Sequence, residues 1–350
     1  MGTLVGSSAR PAGRTGATGR ARSPAPTRRR VSGGGRGLER LGPENAVARE
    51  GLDAIRRVWQ TSQLATGPPH RDGGAEASAQ AITTTAGDHG AMTYQFATYE
   101  KTGRIAIVTM NRPERMNALH PPANFELHEI WNDFENDPEV WVGILTGAGD
   151  KAFSAGNDLR YTAEHGMDMV RMPDSGFGGI TSRTTCWKPI IAAVNGYALG
   201  GGFEMALACD IIIAADHARV GLPEVRVGLM PGAGGVHRWP RMIPQKIAMG
   251  HILAGRHMTA QDAHRWGIVN EVVPLAALMP AAMRWANEIL EGAPLSVRAA
   301  KQAAMMGLGH PLDIALHMKY TETQRMLRSE DTVEGPRAFA EKRKPNWKGR

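Results

Sequence analysis

The stretch Asn195-Gly196-Tyr197-Ala198-Leu199-Gly200-Gly201-Gly202-Phe203-Glu204 follows directly on the apolar run Ile190–Val194 and leads into a helical pattern that ends near Cys209. Isoleucine, alanine and valine bounded by Lys188-Pro189 on one side and Asn195 on the other predict a short buried strand. Three consecutive glycines at the strand-to-helix junction open backbone conformations closed to other residues and let something approach the main chain closely. Amide N–H groups at such a helix start favour negative charge. The glycines are not a phosphate loop, because no Lys-Ser or Lys-Thr follows, and they do not meet the dinucleotide spacing with a later acidic ribose ligand. Taken alone, the stretch fits a tight helix–sheet crossing as well as it fits a binding turn. Glu204 falls in the first turn of the helix among Phe203, Met205, Ala206 and Leu207, which predicts a partly buried carboxylate, and a buried carboxylate is costly unless it is put to use.

A second turn of this kind, Ala152-Phe153-Ser154-Ala155-Gly156-Asn157-Asp158-Leu159, follows the strand pattern of residues 142–146. Two strand ends of one parallel sheet can each aim a backbone N–H at a single oxygen, the geometry of an oxyanion hole, with Asn157 and Gly201 as candidate donors. By itself the second turn reads as a surface loop; the pair is more specific. Glu224 stands in Val220-Gly221-Leu222-Pro223-Glu224, ahead of Gly228-Leu229-Met230-Pro231-Gly232-Ala233-Gly234-Gly235. Without its context it would read as a surface acid near a turn. Two carboxylates brought to one cavity can hold a water between them, one drawing its proton while the other exchanges a proton with carbon.

Around these turns the strand patterns at residues 105–110, 142–146, 190–194 and 211–214 alternate with helical spacing. Residues 125–134 predict a helix with Leu127, Ile130, Trp131 and Phe134 on one face, and the alternation predicts an α/β core. Beyond Gly250 the β signal fades, and residues 259–266, 275–290, 296–306 and 312–327 all predict helices. The expected organisation is an α/β core over residues 92–284 that carries the site, followed by a helical subdomain over residues 285–350.

Asn111-Arg112-Pro113 with Asn117-Ala118-Leu119, Phe153-Ser154-Ala155-Gly156-Asn157-Asp158, Lys188-Pro189 through Gly202-Phe203-Glu204, and Pro223-Glu224 with Pro231-Gly232-Ala233-Gly234-Gly235 resemble, in order, the signature of the crotonase family, the enoyl-CoA hydratases and isomerases. The resemblance covers residues 92–350. It implies an α/β superhelix of ββα turns whose C-terminal helical subdomain packs a homotrimer or a dimer of trimers. Both catalytic glutamate positions of the hydratase branch are filled, by Glu204 and Glu224. The implied reaction is reversible addition of water to the Cα=Cβ bond of a 2-enoyl-CoA thioester, a hydro-lyase step of fatty-acid β-oxidation, with the thioester carbonyl held by the N–H groups of Asn157 and Gly201. No cofactor and no metal are implied, since coenzyme A is part of the substrate. Asn157 stands where hydratases commonly carry Ala, a departure that alters pocket shape more than a main-chain donor.

By the same resemblance, coenzyme A would follow Met116 to Ala118 and the segment Ala155, Gly156, Asp158, Leu159 and Arg160. Arg115 and Arg160 are candidate phosphate partners, though each reads equally as a solvated cation. Phe339 and Lys342 would reach a neighbouring subunit's coenzyme A. Trp187, Phe177, Tyr161 and the loop at residues 167–172 are expected to shape the acyl pocket. The tail from Ser329 to Arg350 and the insert Gly176-Phe177-Gly178-Gly179 are similar to carnitinyl-CoA (crotonobetainyl-CoA) dehydratases, which makes that reaction an alternative, beside an isomerase and an RNA-binding homologue.

Composition sets the bounds. Three hundred and fifty residues, 42% apolar, are enough for a substantial buried core. No apolar run approaches the eighteen or so residues of a membrane span. Two cysteines are too few to staple such a fold and favour a reducing compartment. The net charge of +7 is concentrated in residues 1–91, where thirteen arginines meet seven acidic residues for a balance of +6; the remaining 28 basic and 27 acidic residues leave +1. A near-neutral body argues against nucleic acid as a partner. Residues 1–91 read as a disordered Arg-rich extension, with one short helical pattern at residues 45–64. The expected location is the cytoplasm, or the mitochondrial matrix if this leader is a transit peptide.

Overall fold

The computed structural model describes residues 94–166 and 171–350. The extension expected over residues 1–91 lies outside the described residues, as do residues 167–170 of the expected pocket loop. The β-branched runs form a six-stranded sheet in the spatial order β1 (Ala97–Thr102), β2 (Ile105–Met110), β3 (Val142–Gly147), β5 (Ile190–Val194), β7 (Ile211–Ala215) and β10 (Glu271–Val273). Strands β1 and β2 are antiparallel, and every later neighbour is parallel. A second sheet has the order β4 (Ala152–Ser154), β6 (Tyr197–Leu199), β8 (Arg219–Gly221) and β9 (Met258–Thr259). The chain thus lays successive strand pairs, β3 with β4, β5 with β6 and β7 with β8, across the two sheets. Helices α2 (Leu159–His165) and α3 (Gly201–Ala208) follow the first two pairs, and α4 (Gly235–Met242) comes after the third. These are the expected ββα turns.

Period-two alternation explains why both faces of the larger sheet are apolar. On β5, Ile190, Ala192 and Val194 enter one core layer while Ile191 and Ala193 enter the other. Parallel strands covered on both sides need no polar face. One layer is completed by α1 (Pro121–Asn136), which turns Leu127, Ile130, Trp131 and Phe134 inward at helical spacing. The other is completed by α7 (Leu278–Leu290) through Leu278 and the small side chains of Ala281, Ala282 and Ala286.

Three expectations are corrected. The boundary placed before residue 285 falls inside α7, because Ala286, Ile289 and Leu290 beyond it pack into the same core layer as Leu278, Ala281 and Ala282 before it. Residues 312–327 form two helices, α9 (Leu312–His317) and α10 (Thr321–Leu327), with extended backbone at Met318 and Tyr320. Leu312, Ile314 and Leu316 are exposed, so no buried stripe holds a single helix together, and the Tyr320 hydroxyl closes the break by donating to the Ala315 carbonyl at 2.9 Å. The β signal also continues past Gly250, in β9 and β10, strands of two and three residues that are too short to show a period. Strand β1 escaped notice for a different reason, since Glu100 and Lys101 place charge on an edge.

Two buried asparagines fix the chain between β3 and β4. Asn117 donates to the carbonyls of Ala148 and Ala152 at 3.0 and 2.7 Å and accepts from the Arg112 amide at 3.0 Å. Asn195 donates to the carbonyls of Gly147 and Gly149 at 2.8 and 2.7 Å. Asn117 has a φ of 54°, a left-handed conformation that asparagine tolerates better than alanine. Asn117→Ala is expected to destabilise the fold by about 1–3 kcal/mol, read as a lower urea midpoint at unchanged slope, because it removes the donor to the Ala148 carbonyl, leaves the Ala152 carbonyl only the 3.2 Å side-chain bond from Asn195, and strains the turn. A loss below about 0.5 kcal/mol would contradict this role.

Candidate active site

Strands β4, β6 and β8 run parallel as neighbours, so their C-terminal ends open at one edge. In open α/β sheets that edge is where ligands collect. From β4 the chain continues through Ala155-Gly156-Asn157, from β6 through Gly200-Gly201 into α3, and from β8 through Leu222-Pro223 to Glu224. The Gly200 amide donates to the Gly221 carbonyl at 2.9 Å, tying the second exit to the third. Gly156 has a φ of +89°, and a Cβ there would stand 2.9 Å from the Gly201 nitrogen and 2.7 Å from the Leu199 carbonyl oxygen. Only glycine lets the two turns meet this closely. The structure therefore brings Asn157 and Gly201 together, and among the described residues neither of their amides donates to a main-chain or side-chain acceptor. The Phe177 ring lies 2.6 Å from where a Cβ on Gly201 would be, so it forms one wall against this turn.

Glu204 is 2% exposed, on the first turn of α3. Its Oε1 accepts from the Gly235 amide at 2.7 Å, which sets the carboxylate at the N-terminus of α4. Burial is the larger effect and leaves its pKa raised, while the amides of Gly235 and Ala233 and the charge of Arg238 pull the other way and offset part of the rise. An amide donor and a helix N-terminus both favour the ionised form.

Glu224 opens the short 3-10 turn Glu224–Val227. Its Oε1 lies 2.9 Å from where a Cβ on Gly200 would stand, which explains the bare glycine at a φ of +55°. Its Oε2 is buried without a hydrogen-bond partner among the described residues. Burial first, and the nearby Glu204 charge second, push its pKa up to about 7. The two acids are thus electrostatic neighbours beside the paired amides, and their surroundings differ. Glu204 receives amides from the 233–235 turn, whereas Glu224 has only its own backbone amide against burial and the Glu204 charge.

The expected coenzyme A segments form a ribbon. Ala155 donates to the Met116 carbonyl at 2.9 Å, Leu119 to Gly156 at 2.8 Å and Asp158 to Leu119 at 2.9 Å. Arg115, Leu159 and Arg160 are exposed along it, Met116 is half-buried and Ala118 is buried. Asp158 lies on the same ribbon. Its carboxylate pairs with Arg112 at 3.0 Å and caps α2 by accepting from the Tyr161 amide at 3.3 Å, so the group serves the fold. Tyr161 stacks on His165 with ring centroids 4.1 Å apart. Trp187 is corrected: it lines a separate cavity of about 300 Å³ with Lys188, Arg298 and Glu322. Phe339 is 87% exposed on α11 (Asp331–Ala340), a helix that packs against α10, and Lys342 is exposed just beyond it. The sequence reading missed the Gly235 amide as the partner of Glu204. Its only signal was the glycine pair Gly234-Gly235, without any hint of what it would face.

Residues 100–350 match the family described as enoyl-CoA hydratase/isomerase. Carnitinyl-CoA dehydratase of Citrobacter koseri is 43% identical over 256 residues, which cover 72% of this chain and 98% of that protein. The same-named protein of Escherichia coli K12 is 43% identical over 254 residues, 71% of this chain and 97% of its own length. Among solved structures, an enoyl-CoA hydratase of Mycobacterium marinum superposes with a TM-score of 0.68 at 38% identity, covering 73% of this chain and 99% of that one. One from Bacillus anthracis gives 0.69 at 37% identity over 73% of this chain and all of its own.

The raised Glu224 pKa has a consequence for stability that can be read without substrate. The folded state holds this proton more tightly than the unfolded chain, so the stabilisation is complete below about pH 4.5 and is lost as pH rises towards about 7. Glu224→Gln removes that loss. The thermal midpoint of the variant relative to the parent is expected to climb between these two values and to stay level above them. A difference independent of pH would contradict the buried, repelled carboxyl.

Proposed function

The chain belongs to the enoyl-CoA hydratase/isomerase family, and from that premise we propose that it is a hydro-lyase adding water reversibly across the Cα=Cβ bond of a 2-enoyl-CoA thioester. The observation that carries the reading is the pair of acids, Glu204 and Glu224, beside two backbone amides free to donate to an oxyanion. The thioester carbonyl oxygen takes the N–H groups of Asn157 and Gly201, which draw electron density from the double bond. Each such donor typically contributes about 3 kcal/mol at the transition state. Glu204, supported as an anion by the Gly235 amide, takes the proton from a water that attacks Cβ. Glu224, which holds a proton up to about pH 7, delivers one to Cα. The product is a 3-hydroxyacyl-CoA. An isomerase moves one proton between carbons and needs one base; two acids with divided environments favour hydration.

Coenzyme A is proposed to lie along the Met116–Ala118 and Ala155–Gly156 ribbon, with Arg115 and Arg160 towards its phosphates, and no separate cofactor takes part. The second reading is carnitinyl-CoA dehydration, the same chemistry run in reverse on a charged acyl group. It is favoured by the 43% identical relatives of that name, which are matched over nearly their whole length. Loss of enoyl absorbance across a panel of crotonyl-, longer enoyl- and crotonobetainyl-CoA distinguishes the two. A trimer or a dimer of trimers is proposed for the assembly, because Leu308, Leu312, Leu316, Val333 and Phe339 expose large apolar side chains on the C-terminal helices. In that assembly Phe339 and Lys342 would reach a neighbour's substrate. Two free buried cysteines fit a cytoplasmic enzyme, or a matrix enzyme if the leader directs import; fatty-acid β-oxidation is the proposed setting.

Glu204→Gln and Glu224→Gln are each expected to lower hydration of crotonyl-CoA by about 10² to 10⁴ while leaving thioester binding largely intact. Full turnover in either variant would refute the paired-acid mechanism. Leu312→Asp with Leu316→Asp is expected to release single chains in sedimentation, whereas an unchanged sedimenting mass would remove the C-terminal helices from the interface.

A further inference from the structure

Arg238 sits in the first turn of α4, and its guanidinium reaches back over the turn that holds Glu204. Nη2 donates to the Thr181 carbonyl at 2.7 Å and Nη1 to the Ala233 carbonyl at 3.3 Å. Nη1 lies 2.2 Å from where a Cβ on Gly234 would stand, and the Glu204 Oε1 lies 3.0 Å from where one on Gly235 would stand. Cation and acid therefore flank two consecutive residues of one turn. The hydrogen bonds of Arg238 go to carbonyls, so its charge is not consumed by a carboxylate. Arg238 is half-buried, and drawing a guanidinium even partly out of water is expensive for packing alone.

We propose that Arg238 is a positioning residue for Glu204: it clamps the 233–235 turn whose amides hold the carboxylate, and it sets a positive charge beside that carboxylate. This deepens the hydration reading and rests on it. The charged groups facing Glu204 are Arg238 from α4 and Glu224 from the loop after β8, and they act in opposite senses. Glu224 resists a second negative charge in the pocket, and Arg238 offsets that resistance. The planar fork of arginine spans two carbonyls from different segments, which the point charge of lysine does not. Removing the fork loosens the turn, and removing the charge lets Glu204 keep a proton that a base must not carry.

The test compares Arg238→Gln and Arg238→Lys in the full chain by two readouts. One is the pH profile of kcat/KM for crotonyl-CoA hydration, and the other is infrared titration of the Glu204 carboxyl band with Glu204→Gln as reference. In Arg238→Gln the acidic limb and the band are expected to move up by about one pH unit, with kcat down at least about tenfold and KM changed far less. Arg238→Lys is expected to keep both near their parental positions while recovering only part of kcat. An unmoved band in Arg238→Gln, or a lysine variant indistinguishable from the parent, overturns the proposal. If Arg238→Gln does not fold, the lysine variant alone decides by its kcat at an unmoved limb. If the parent hydrates nothing, the functional reading fails, and the infrared titration still judges Arg238.

Discussion

The parallel pairing of two three-residue strands, β4 and β6, is what makes the site possible. Ala152 faces Tyr197 and Ser154 faces Ala198, so both chains leave the sheet at the same edge and in the same direction. Each then turns at once, and the turns touch through Gly156 and Gly201. Main-chain amides placed this way are held by the sheet itself and need no side chain to organise them. The cost is a set of positions closed to any residue with a Cβ. Phe177, Asn117 and Asn195 fill and lock the space around them.

From that edge follows a division between two like charges. Glu204 and Glu224 repel each other, and a buried pair of carboxylates cannot both ionise without compensation. The fold resolves the conflict by unequal surroundings. Glu204 receives an amide and a helix terminus from α4, while Glu224 is left with a buried, unpartnered oxygen and a pKa near neutrality. One base and one acid at the same pH are what addition of water to a polarised double bond requires. A stabler arrangement would satisfy both groups and abolish the chemistry.

Much of this was legible in the sequence because it is local. The strand at residues 190–194 and the inward face of Leu127, Ile130, Trp131 and Phe134 follow from spacing, and the burial of Glu204 follows from its neighbours in one helical turn. What was not legible depends on residues far apart. Gly235 supports Glu204 across 31 positions, and Arg112 takes up the Asp158 carboxylate across 46. Trp187 follows the same rule, since nothing in its neighbourhood of sequence says that Arg298 and Glu322 share its cavity. The split between α9 and α10 is invisible to spacing, because the apolar residues that continue the helical period are exposed and give no core contact to hold one helix across it.

The grip of main-chain amides from two separate turns on one thioester carbonyl is the proposed step on which the chemistry depends. It is tested most directly by the infrared carbonyl stretch of a ¹³C-labelled 2-enoyl-CoA bound to the Glu204→Gln, Glu224→Gln double variant, in which turnover is blocked and the amides are intact. The account predicts a carbonyl band displaced to lower frequency than in free thioester, the mark of strong donors at the oxygen. A bound ligand whose carbonyl absorbs at the frequency of the free thioester would contradict it.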